Sequence, residues 1–527
     1  MLLLHSRWAP ALVAAVLTSA FALWNPPLRD LAAHTFRAEY FEQHGFAIWN
    51  NTWYGGHYLP AYSVLFPPLA ALLSPVWVGA ASAVASAHLF DGLVRARWGE
   101  RARPAGLWFA ALGTVALLAN GWLVFALGTA FALGALRALQ LDRDRLALLL
   151  GAGAALSSPV AAVFLALATV VGGLVQGRVR RAVAVAAATL VPLAVLGLMF
   201  PERGEFPFWF SAYWPLALFC VLALVAVRGT DRDRDVYAVL AVYLALATLD
   251  WLIPSPFGGN ITRLGALFGG PVLLALLMAR EPRRLRTPVA VAALVMGLAW
   301  QVVSPFRQVT ESLDDPSTAR SYYQPVKTWL AAHGAQDDRI EIPHTFNHWE
   351  AAYVAPDFSI ARGWLRQLDR ERNKIFYDGR EPTHARYRRW LHDNGIRWVA
   401  ASDARLDYSA ADENRLIRER PPYLRRRAVL EHWEVYEVVG GPGLVRGPAA
   451  LTALRPESFT LRVARPGVAR VMVRHTPYWR VEQGDACVGA DGSWTVVRAD
   501  RPGTVRVTTR FSMGAALQAT FGRTPRC

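Results

Sequence analysis

Apolar runs fill the chain from residue 8 to residue 304, each close to the length of a bilayer crossing. A membrane helix needs about 20 predominantly apolar residues, in a range of roughly 17–25. On that basis the pattern predicts helical spans over 8–24, 76–94, 105–120, 121–136, 146–158, 159–175, 182–200, 208–227, 236–253, 264–279 and 288–304. Tight turns such as Ser157-Ser158-Pro159 separate some neighbours. Residues 59–94 are nearly continuous apolar sequence, broken at Pro67-Pro68 and Ser74-Pro75. The crossing is assigned to 76–94 and an interfacial or half-inserted helix to 59–74. Non-helical backbone at that depth must be buried in protein or line a wet cavity.

After residue 304 the periodicity changes to that of a water-soluble region. Residues 321–334 and 384–395 read as helices closed by glycine caps. The segments 339–343, 396–402 and 432–439 read as strands, and strands alternating with helices predict a small α/β unit. GGPGLVRGP at 440–448 is a linker. Beyond 457, the runs SFTLRVA, ARVMVRHT, WTVVRA and TVRVTTRF alternate apolar and polar positions between Gly and Pro turns, which predicts a β-sandwich. The expected fold class is thus an α-helical polytopic membrane protein of about 11 spans with a C-terminal α/β plus β-sandwich region. The expected domains are 1–304 with a first loop at 25–60, then 305–440, then 441–527.

Composition and charge refine this picture. The chain is 54% hydrophobic and 18% charged, with a formal net charge of +16. A nucleic-acid partner is excluded as an expectation, because the Arg residues sit in short clusters between apolar runs, as the positive-inside rule requires. Arg95, Arg97, Arg101 and Arg103 form one cluster, and Arg137, Arg143 and Arg145 the next. Arg178, Arg180 and Arg181 follow, then Arg228, Arg232 and Arg234, then Arg280, Arg283, Arg284 and Arg286. With these clusters in the cytoplasm, the N-terminus is cytoplasmic, and residues 25–60 and everything after 304 are extracytoplasmic. The first segment also carries signal-peptide features, namely Arg7, an apolar core and Ala20-Phe21-Ala22. Of three cysteines, Cys220 lies in an apolar run, whereas Cys487 and Cys527 are candidates for a disulfide in an extracytoplasmic region.

The long polar loop at 25–60 is where chemistry is expected. Asp30 and His34 stand four apart, on one face of a helix, where a carboxylate beside an imidazole can act as a base or hold a tautomer. A solvated helix face is the alternative. Glu39 is a second acid on the loop. Trp49, Trp53, Tyr54 and Tyr58 suit either an interfacial aromatic belt or stacking on a sugar or lipid head, and His57 lies among them. Gly55-Gly56 permits a tight turn or a close approach of backbone. Arg263 stands at the outer end of a span, where it pairs with a phosphate or snorkels to lipid head groups. Asp250 is a candidate partner for it, and Glu202, Arg203 and Glu205 form a further small cluster. In HTFNHWE, His344, Asn347, His348 and Glu350 are of metal-ligand type, but HExxH is absent and structural polar contacts are the favoured reading. No metal site is therefore assigned, and no motif demands a cofactor, although a divalent metal is compatible. The run 361–379, dense in Arg, Trp and Tyr, reads as a folded solvated face or an acceptor-recognition surface. P-loop, Rossmann and GxSxG patterns are missing, which leaves nucleotide hydrolysis and serine-hydrolase chemistry without support.

The pattern Asp30-x3-His34, Gly45, Trp49, Gly55-Gly56 and Tyr62 through Pro67-Pro68-Leu69 resembles bacterial polytopic proteins of the GT-C glycosyltransferase superfamily. The many-span core, the Arg263 region and the segment 475–492 extend the resemblance to nearly the whole chain. It implies a transferase using a polyprenyl-phosphate-linked sugar and an extracytoplasmic glycan or lipid acceptor, in contact with membrane lipids. It implies an acid in the first extracytoplasmic loop, matched by Asp30 with Glu39 in reserve and His34 in support. It also implies a cation near the lipid phosphate, matched by Arg263, and sugar stacking by the loop aromatics Trp49, Trp53 and Tyr54 beside His57. The paired acidic motif usual in such enzymes is absent. A non-catalytic lipid-linked glycan binder or a transporter of the same fold is the alternative, although transporter features such as internal repeats and mid-membrane charges are not evident.

Overall fold

The computed structural model describes residues 6–228, 234–280 and 285–521. Arg232, Arg283 and Arg284 of the predicted clusters, and Cys527, lie outside the described residues. The chain divides into two compact units. The first comprises Met1–His34, Tyr62–Val195 and Glu205–Glu311, and the second comprises Thr35–Ala61, Leu196–Gly204 and Ser312–Cys527.

The first unit is helical, and each predicted apolar segment forms a helix. These are Ala9–Trp24, Pro75–Trp98, Glu100–Ala119, Leu123–Gln140, Asp144–Ser157, Pro159–Val175, Val179–Met199, Phe210–Ala226, Arg234–Leu252, Gly258–Ala279 and Pro288–Leu313. Among the described residues, seven of these helices are long and apolar enough to cross a membrane. The number rises to eight if the bent pair Ala9–Trp24 and Arg29–His44 counts as one span. The difference from eleven is one of length. At a rise of about 1.5 Å per residue, the 14 residues of Asp144–Ser157 reach about 21 Å, short of a hydrocarbon core of about 30 Å. Val191, Leu218, Val225, Leu249, Val295 and Val302 point outward from their helices. An apolar outer surface of this kind is what a bilayer covers. Within the stretch 59–74, read as an interfacial or half-inserted helix, a short helix occupies Phe66–Leu73.

Ion pairs join the polar ends of several helices. Arg97 pairs with Asp235 at 3.0 Å, and Arg181 pairs with Asp142 at 2.6 Å and Asp144 at 3.2 Å. Arg97 of the first cluster thus meets the aspartate beside Arg234, and Arg181 of the third meets the aspartates that flank Arg143. Among the Arg-poor turns, two pairs also meet. The Leu156 carbonyl accepts from the Val64 and Leu65 amides, and the Ser255 carbonyl accepts from the Phe206 amide.

The second unit contains a five-stranded sheet ordered Ser359–Ile360, Arg339–Glu341, Ile396–Ser402, Trp433–Val438 and Leu424–Val429. The first three strands are parallel and the last two antiparallel to their neighbours. Two four-stranded antiparallel sheets between residues 445 and 509 form the sandwich. Its core is built from Phe459, Leu461, Val471, Val473, Tyr478 and Val507, joined by Trp49 and Tyr58 from far away in sequence. Cys487, on the strand Ala486–Asp491, is disulfide-bonded. Cys220 is buried and free.

Candidate functional site

In the first unit, three separate stretches bring Asp30, His34 and Arg263 into one neighbourhood. Arg29–His44 is a helix, so Asp30 and His34 lie one turn apart on one face, as their spacing predicts. That face lies on the turn between two apolar helices at Asn120-Gly121. The His34 Nε2–H donates to the Gly121 carbonyl at 3.1 Å. A carbonyl can only accept, so this bond fixes which ring nitrogen carries the proton. Gly121 has φ +69, and a Cβ placed on it would stand 2.9 Å from the Asp30 Cβ. Glycine is needed here both for the left-handed backbone and for the close approach of Asp30. His34 is buried against Phe66, at 5.3 Å between ring centroids, whereas Asp30 is half-buried.

Arg263 completes the group. Its guanidinium lies over Trp122 at 4.9 Å and over Phe125 at 5.6 Å, and it interacts electrostatically with Asp30 and Tyr62. The helix widens into a π-turn at Gly265–Gly269, just beyond Arg263. Such turns recur at functional sites. Asp250, the expected partner, instead accepts from the Ser255 hydroxyl and caps its own loop. The arrangement is a half-buried carboxylate and a half-buried guanidinium on an aromatic floor, with an imidazole anchoring the carboxylate's helix.

The remaining loop residues have a different setting, inside the second unit. Glu39 pairs with Arg320 at 3.1 Å. Trp49, Trp53, Tyr54 and His57 are interior side chains rather than an exposed stacking surface. Trp49 donates to Asn51 and packs in the sandwich core. Trp53 stacks between Phe36 and His57 and donates to the Ala351 carbonyl. The Tyr54 hydroxyl donates to the Gly363 carbonyl at 2.6 Å and accepts from the Leu365 amide. The cause is backbone pairing. Trp49–Asn50 and His57–Tyr58 form a hairpin, and Trp53 bridges in parallel to Ile360 at the edge of the five-stranded sheet. Gly56, at φ +130, lets Trp49 lie against the turn, where a Cβ would stand 2.2 Å from the ring.

Burial, reinforced by the Arg37 and Arg372 guanidinium groups, holds the His57 imidazole well below its ordinary value of 6.5. It is therefore neutral when folded, whereas the unfolded chain takes up a proton there as pH falls through 6.5. Folded stability is full above that value and declines below it, by up to about 1.4 kcal/mol per pH unit for one such group. A His57→Asn variant is expected to show a shallower fall in melting temperature between about pH 7 and pH 5.5. His344 and His475 are shifted in the same direction, so part of the slope remains.

A second polar cluster lies at the C-terminal ends of the three parallel strands, where loops diverge and open α/β sheets place their ligands. The loop after Arg339–Glu341 carries His344 and His348. The loop after Ser359–Ile360 carries Arg362 and Arg366, and the loop after Ile396–Ser402 carries Asp407 and Ser409. Arg362 binds Asp369 at 2.6 Å, Glu413 at 3.2 Å and Ser409 at 2.9 Å, and Arg366 binds Asp407 at 2.7 Å. All of these groups are buried. Burial pushes the Asp369 carboxyl upward, but Arg362, His344 and Tyr377 together outweigh it and hold the group below the usual carboxylate range. Burial, with Glu413 beside it, pushes Glu341 well upward. The run 361–379 is thus partly an internal ion-pair network rather than a solvated face, and its spacing gave no sign of that. Asn347 donates to Asp315 at 2.8 Å and belongs to the frame of the unit.

No family model matches the chain, and no curated protein matches it. Among solved structures it is similar to the arabinofuranosyltransferase AftD from Mycobacteria, with 17% identity and a TM-score of 0.44. That match covers 97% of this chain and spans 60% of the length of the other.

Proposed function

We propose that the chain is a GT-C-like membrane glycosyltransferase that moves a sugar from a polyprenyl-phosphate donor to an extracytoplasmic glycan or lipid acceptor. The observation that supports this most is the meeting of Asp30 and Arg263, which are remote in sequence, on the floor made by Trp122 and Phe125. A transfer of this kind needs a base at the acceptor and a cation at the leaving phosphate. Asp30 takes the proton from the acceptor hydroxyl as its oxygen attacks the anomeric carbon. The bond from that carbon to the phosphate oxygen breaks, and the lipid phosphate departs with the electron pair. Arg263 stabilises its charge through the planar guanidinium fork. His34 acts through Asp30 as a positioning residue, because it ties their shared helix to Gly121. In this reading the N-terminus is cytoplasmic, the site opens to the extracytoplasmic side, and the protein resides in the cell membrane.

The test is to reconstitute the full chain with a panel of polyprenyl-phosphate sugars, and to measure turnover and density beside Asp30. Arg263→Gln is expected to weaken donor binding by roughly 10-fold or more, the worth of one charge-assisted hydrogen bond. Unchanged donor affinity in that variant would remove Arg263 from the phosphate subsite.

A further inference from the structure

We infer that the second unit holds a divalent metal ion between His344, His348 and Glu350. One ligand atom from each residue lies within 4.8 Å of the other two. All three side chains are buried: His344 is 1% exposed, His348 0% and Glu350 1%. Neither ring nitrogen of His344 has a hydrogen-bond partner among the described residues, nor does His348 Nδ1 or Glu350 Oε1. Buried polar atoms are nearly always paired, so three residues that converge with such atoms call for an occupant. His348 Nδ1 and Glu350 Oε1 face each other at 3.6 Å, too far for a hydrogen bond. That spacing is close to the separation of about 3.3 Å that ligands have around a tetrahedral ion with bonds of about 2.0–2.1 Å.

The surroundings are those of a built site. The other nitrogen of His348, Nε2, lies 3.4 Å from Asp407 and 3.5 Å from the Arg366 guanidinium, so polar neighbours outside the cluster hold the ring's far edge. The other oxygen of Glu350, Oε2, accepts from the Thr345 hydroxyl at 2.5 Å. His348 and Glu350 thus each keep one atom held and one atom free, while both ring nitrogens of His344 are free. The His348 ring is held flat against Trp364 at 3.6 Å. Its backbone has φ +59, a conformation uncommon for residues other than glycine. The three groups lie at the C-terminal edge of the parallel strands, on the loop that follows Arg339–Glu341. Two imidazoles and a carboxylate suit Zn(II) or a similar borderline ion, with one coordination position left open.

The test uses the full chain in detergent, stripped with a chelator and titrated with Zn(II) and with Co(II). The expected result is one equivalent bound, a rise in melting temperature, and a Co(II) spectrum of tetrahedral nitrogen and oxygen coordination. Thr345→Val removes the anchor on Glu350 and is expected to weaken binding by about 10–100-fold, while Glu350→Gln abolishes it. Should those variants fail to fold, X-ray absorption on the wild-type protein with Zn(II) still reads the ligand set. Less than stoichiometric binding by the wild-type protein, a shell without imidazole, or undiminished binding in folded Glu350→Gln overturns the assignment. None of these outcomes depends on the transferase reading.

Discussion

Asp30→Asn is expected to lower the rate of sugar transfer by about a thousandfold, the middle of the range for losing a positioned general base. The substitution keeps the shape of the side chain, so its packing against Gly121 and the bond from His34 to the Gly121 carbonyl survive. Donor binding should not weaken, because the change removes a negative charge that competes with the lipid phosphate for Arg263. The expected signature is therefore a collapse of kcat with KM for the donor unchanged or lower. It is read from transfer kinetics beside a donor-binding isotherm on the same folded preparation. Full turnover in the variant would remove Asp30 from the chemistry. A parallel loss of folded protein would point to a structural role instead.

The largest expected effect on stability is that of Arg362→Met. This side chain is 1% exposed and neutralises Asp369 and Glu413 in the interior of the second unit. Removing it leaves two buried carboxyls without their cation, and breaking a buried pair from one side costs about 3–5 kcal/mol. That is a large fraction of a stability of about 5–15 kcal/mol. Arg506→Met is the control. Its pair with Glu482, at 2.9 Å, is half exposed on both sides, and exposed pairs contribute little. The two variants are compared by thermal and denaturant melts of the full chain. Equal melting temperatures would mean that the buried network does not carry the stability assigned to it.

Much of the fold was legible in the chain because its signals are local. Apolar length marked the eleven apolar helices of the first unit, since long apolar runs in water have few other fates. Period-two alternation marked the strands Ser458–Val463, Gly467–Arg474, Trp494–Ala499 and Gly503–Thr509. The strand Leu424–Val429, with three consecutive arginines, was not legible, because its side chains are mostly exposed and backbone pairing to Trp433–Val438 holds it. The helix Met513–Phe521 was not legible either.

For the site, the spacing of Asp30 and His34 placed them on one helical face, and no more than that. The sequence alone determined that the chain alternates apolar spans with Arg-rich turns, that a β-rich region follows, and that an acid, an imidazole and a lone cation were available. Only the tertiary structure decided which of these meet. It brought Arg263 within electrostatic reach of Asp30 and turned Asp250 to Ser255. It drew Trp49, Trp53, Tyr54 and His57 into an interior, and it turned the arginines of 361–379 inward onto carboxylates. Those choices depend on contacts between residues hundreds of positions apart. Helical and strand periodicities describe which face of one element is apolar, and they carry no information about which other element that face will meet.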